Sequence, residues 1–88
     1  MRYNEYPPEY REMFAKARLL PVEIVFTTMA KAIAFRVELY KYRYAVRDAL
    51  PKTQPLYNKV MKITMSVQNK TLTLQTKKSK FVEKLNEH

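Results

Sequence analysis

Arg36, Arg43 and Arg47 carry the clearest chemical signal in the chain. On a helix they fall in one stripe, and none has an acidic residue three or four positions away. A guanidinium is always charged and presents a planar fork of donors that matches phosphate or carboxylate. These arginines must therefore find negative charge off their own segment. A phosphate backbone is one source. Glu9, Glu12, Glu83 or Glu87 in the flanking segments is the other. Tyr40, Tyr42 and Tyr44 interleave with the stripe, and an exposed tyrosine can stack on an unpaired base.

A second cationic group lies further along. From Ala49 to Val82 there is no acidic residue, while Lys52, Lys59, Lys62, Lys70, Lys77, Lys78 and Lys80 fall inside that stretch. Lysines on a small protein also serve solubility and blunt sheet edges, which accounts for some of them. The complete absence of acids is harder to assign to solubility. Over the whole chain of 88 residues, 17 Lys+Arg oppose 8 Asp+Glu, a formal net charge of +9. That balance favours polyanionic partners: nucleic acid, an anionic surface or an acidic protein.

Catalysis finds little support. An enzyme needs a convergent acid, base or nucleophile. The one histidine is His88, the serines are Ser66 and Ser79, and the glutamates gather toward the two ends. No cysteine is present to build a disulfide frame or a thiolate metal site, so neither a metal nor a cofactor is expected. No glycine is present either, which excludes the phosphate-cradling loops of nucleotide-binding folds. No hydrophobic run approaches the roughly 20 residues that span a bilayer, so membrane insertion is not expected. The start of the sequence lacks the apolar segment of a signal peptide, and a cytoplasmic setting is the default reading. The small size, basic charge and lack of glycine and cysteine fit a phage or viral accessory protein.

The elements that would position these groups follow from the pattern. Pro7-Pro8-Glu9 suits a helix start, and apolar spacing continues it over about 8–20 until Pro21. Val22 to Phe26 alternates as a short strand, with an early extension of the next helix as the alternative. Thr27 or Thr28 can cap a long helix over about 28–49, some 33 Å at 1.5 Å per residue, because nothing breaks it before Pro51. Pro51 and Pro55 bound a linker. Alternation over about 60–68 and 71–77, joined by Asn69-Lys70, reads as a hairpin in which Val67 faces Leu72. Ser79 can open a last helix over about 79–87. The order α-β-α-β-β-α predicts a single α+β domain in two layers: a three-stranded sheet with a C-terminal hairpin and one long central helix.

On a helical projection the long segment is apolar on two sides. One face holds Ala32, Phe35, Leu39, Tyr42, Val46 and Leu50. The other holds Ala30, Ile33, Val37, Tyr40 and Tyr44. The first can cover the sheet. Ile33, Val37, Tyr40 and Tyr44 are then candidates for a contact with another helix or a second molecule, as in a homodimer. The hairpin's outer face would show Lys62, Thr64, Ser66, Gln68, Thr71, Thr73, Gln75 and Lys77. Such a face is ordinary for a solvated antiparallel sheet, and it can also contact phosphates or bases.

Two functions are therefore expected from the residues. The first is DNA or RNA binding through phosphate contacts from Arg36, Arg43, Arg47, Lys62, Lys70, Lys77, Lys78 and Lys80. The second is a non-catalytic interaction module, either a homodimer or an adaptor gripping an acidic protein partner.

Overall fold

A computed structural model of the chain describes residues 2–76. After a short 3-10 turn at Tyr3–Glu5 come helix α1 (Pro8–Ala17), strand β1 (Val22–Val25), helix α2 (Met29–Ala49), helix α3 (Pro55–Met61), strand β2 (Ile63–Gln68) and strand β3 (Thr71–Thr76). The three strands form one antiparallel sheet in the order β1-β3-β2. β3 is the centre, so the two strands joined through α2 and α3 lie at opposite edges and run parallel to each other. This is the α+β domain that the sequence pattern predicts. The helix expected over 79–87 lies outside the described residues.

Each element follows from its residues. α2 starts where the Thr28 hydroxyl accepts a hydrogen bond from the Lys31 amide at 3.2 Å, one of the four donors a helix start leaves open. It runs for 21 residues because no glycine or proline interrupts it. α1 ends earlier than expected, at Ala17. The Leu19 and Leu20 amides both turn back to the Lys16 carbonyl, and Pro21 bars Leu20 from helical geometry. Leu19 and Leu20 consequently stay exposed.

α3 stands where the sequence reading has only linker and strand. Pro55 occupies the first helical turn, and Leu56 and Val60 recur four apart to reach the core. Val60 and Met61 therefore belong to the end of α3, Lys62 caps it, and β2 begins at Ile63 rather than near residue 60. Met61, expected to open the strand alternation, is the last residue of α3.

The hairpin keeps its predicted register. Gln68 pairs with Thr71, and Val67 with Leu72. Asn69 takes φ 56, the left-handed conformation that a two-residue loop demands and that asparagine tolerates better than most non-glycine residues. A chain without glycine meets that need here with asparagine.

The core lies between sheet and helices. Ile63, Met65, Leu72 and Leu74 face Phe14, Ala17, Leu39, Tyr42, Val46 and Val60. Fully burying each large aliphatic side chain contributes about 1.5–3 kcal/mol. The first face of α2 is the buried one, as expected: Ala32, Leu39, Tyr42 and Val46 are all buried. Tyr42 anchors an aromatic cluster, with its ring 5.5 Å from Tyr6 and 6.0 Å from Tyr10, both edge-on. Burial pushes the Tyr42 phenol above its ordinary value of 10.0, against the opposing pull of Arg11. The native state thus holds that proton more tightly. Its contribution is present below pH 10 and is lost as pH rises through the raised value.

Candidate functional site

The second face of α2 is left uncovered among the described residues. Ile33, Val37 and Tyr44 are exposed, Tyr44 by 48 %, and Tyr40 is half-buried. These positions recur at alternating intervals of four and three, the spacing of a helix seam built to meet another element. Toward its C-terminal end the seam becomes an aromatic–cationic ladder. Tyr40 and Tyr44 stack at 6.3 Å and 24°. The Arg47 guanidinium sits 4.7 Å above the Tyr44 ring, and that of Arg43 lies 6.0 Å from Tyr40.

The ladder forms one wall of an open groove of about 430 Å³ between α2 and the edge strand. Tyr40, Arg43, Tyr44 and Arg47 line it from α2, and Thr64 and Met65 from β2. Among the described residues, no acidic side chain lines it.

The three arginines meet different fates. Arg43 donates to two main-chain carbonyls: Nη1 to Ile63 at 3.1 Å and Nη2 to Met61 at 3.2 Å. Met61 closes α3 and Ile63 opens β2, so one guanidinium satisfies a helix-end carbonyl and ties three elements together. Arg47 Nε donates to Asp48 Oδ1 at 3.3 Å, an exposed contact of adjacent residues that contributes little. Arg36 is half-buried and has no partner among the described residues. The flanking Glu9 and Glu12 are exposed and pair with none of the three. Glu38 instead pairs with Lys41 at 3.2 Å, as their spacing suggests.

The lysines spread out. Lys62 is exposed just past α3, and Lys70 is exposed at the hairpin tip, at the far end of β2. Lys77, Lys78 and Lys80 lie outside the described residues. Between Lys62 and Lys70, the outer sheet face brings together Thr64 and Gln75, Ser66 and Thr73, and Gln68 and Thr71 as cross-strand pairs. The Thr64 hydroxyl spends its proton on the Gln75 carbonyl at 3.1 Å. β1 adds an acid to this face, since Glu23 pairs with Thr73.

Sequence reasoning assembles the stripe and the seam but misses the groove, because α3 forms its end. The signal was present in Pro55, Leu56 and Val60. The carbonyl partners of Arg43 have no counterpart in side-chain patterning. No family model, no curated protein and no solved structure matches the chain.

Proposed function

We propose that the protein binds DNA or RNA through phosphate contacts from arginine and lysine. The observation that carries this reading is the outer face of the hairpin. Short hydroxyls and amides are held in cross-strand pairs, Lys62 and Lys70 stand at its two ends, and neither strand carries an acid. Arg36 and Arg47 extend the positive surface along α2, whereas Arg43 is committed to the fold. Binding should weaken steeply with salt, since each neutralised phosphate releases counterions. Fluorescence anisotropy with single- and double-stranded DNA and RNA at low and moderate salt is the test. Absence of salt-sensitive binding to all of them ends the reading.

A second reading, a protein–protein interaction module, is favoured by the seam Ile33, Val37, Tyr40 and Tyr44, uncovered among the described residues, beside a groove that no described acid lines. Tyrosine and arginine dominate interface hot spots. Chemical-shift mapping over a protein concentration series and with acidic peptides tests it. If neither moves the resonances of Tyr40, Tyr44 and Arg47, the module reading fails.

A further inference from the structure

The direction of every main-chain group in the sheet can be worked out. The Phe26 amide donates to the Lys70 carbonyl at 2.8 Å, so Lys70 points toward β1. Directions alternate along a strand, so Leu72 and Leu74 also point toward β1, and Thr71, Thr73 and Gln75 toward β2. Their partners Gln68, Ser66 and Thr64 point back toward β3. Ile63, Met65 and Val67 therefore turn their N–H and C=O groups away from the sheet. The Arg43 bond to the Ile63 carbonyl confirms this phase independently. Arg43 fills the first outward acceptor. The outward groups of Met65 and Val67 have no partner among the described residues.

Among the described residues, this edge lacks the usual protection. Exposed edges are normally blunted by charge, proline, a bulge or short length. β2 is six residues, Ile-Thr-Met-Ser-Val-Gln, with none of these. The groove lies along its first half, with Thr64 and Met65 in its lining and the tyrosine–arginine ladder as its opposite wall.

We propose that β2 is a strand-addition site, and that its occupant is an extended acidic segment of a partner protein. This rests on the interaction-module reading. The segment's amides would pair with Met65 and Val67, and alternate side chains would reach Tyr40, Tyr44 and the guanidinium of Arg47. Charge selects this occupant. Among the described residues, Arg43 and Arg47 line the groove without an acid, and Lys62 follows the lining residue Met61 in the chain. A second copy of β2 would bring its own Arg43, Arg47 and Lys62 against these. A nucleic acid has no repeating amide to meet the strand edge.

The test uses the full chain and a blocked peptide of about six alternating valines and glutamates, matched to a strand's length. Amide hydrogen exchange is followed by NMR. The peptide should slow exchange at Met65 and Val67 by about tenfold or more and leave Thr64 and Ser66, already paired to β3, unchanged. Arg47→Glu, at an exposed position, should weaken the peptide about tenfold or more, and replacing its glutamates by lysines should restore binding to this variant. Peptide binding with no change at Met65 and Val67 overturns strand addition and leaves the module reading intact. No binding at all, with Tyr40, Tyr44 and Arg47 also unmoved by protein concentration, overturns both. Protection that appears without peptide and grows with protein concentration assigns the edge to a second copy and overturns the proposal. Displacement of the peptide from Tyr44 by an equimolar oligothymidylate assigns the groove to nucleic acid and likewise overturns it.

Discussion

The two edges of the sheet are built differently. β1 has four residues, and Glu23 and Val25 direct their main-chain groups outward. A charge sits in its middle, and Pro21 stands just before it. β2 is longer, uncharged and free of proline, and its outward side faces a cationic groove. A short edge bearing a charge repels another strand, whereas a long neutral one invites pairing. The contrast teaches that the molecule has one guarded edge and one open edge, and that the open one adjoins its only described stretch of stacked tyrosine and arginine.

Substitutions can break or sharpen this contrast. Leu72 is fully buried in the strand shared by both edges. Leu72→Ala should cost about 2–5 kcal/mol in urea unfolding, and both edges should lose exchange protection together. A loss confined to one edge would mean that the sheet is not a single cooperative unit. Arg43→Ala should cost about 1.5–3 kcal/mol, because it strips charged hydrogen bonds from two carbonyls. Its effect should concentrate at the start of β2 and spare β1. Asn69→Ala should cost about 1 kcal/mol, since a left-handed conformation penalises alanine more than asparagine. It should loosen the β2–β3 turn without altering the β1 register. Glu23→Ala should change stability by less than about 0.5 kcal/mol. Light scattering of that variant should nevertheless show concentration-dependent association through a newly unguarded β1. A variant as monodisperse as the parent would remove Glu23 from the account of edge protection.

Much of the frame was legible in the sequence. The two-sided pattern of α2 separated Tyr42 from Tyr40 and Tyr44, and the structure buries the first and exposes the last. The hairpin register followed from Asn69-Lys70 and the alternating apolar residues, because a one-residue slip would turn Val67 and Leu72 to the wrong face. Other features were out of reach. α3 is seven residues long, too short for periodicity to stand out beside the alternation that follows. The position of β3 between β1 and β2 depends on long-range pairing that no local pattern encodes. The arginine stripe was visible as a charge problem, but one of its answers is two main-chain carbonyls, and carbonyls are the same at every position in a sequence. The outward phase of Met65 and Val67 rests on the Phe26–Lys70 bond and, independently, on the bond from Arg43 to the Ile63 carbonyl.

The strand order also carries a schedule. β2 meets β3 across a two-residue turn, an event of about 1–10 μs. β1 pairs only with β3, its partner in the described sheet that is made last, so Val25 waits for Thr71 across α2, α3 and β2. On a ribosome, β1 would emerge before β3 and stay unpaired until β3 follows. The guarded edge is the one that waits. Its glutamate and short length protect a strand that must remain single while the rest of the sheet is still being synthesised.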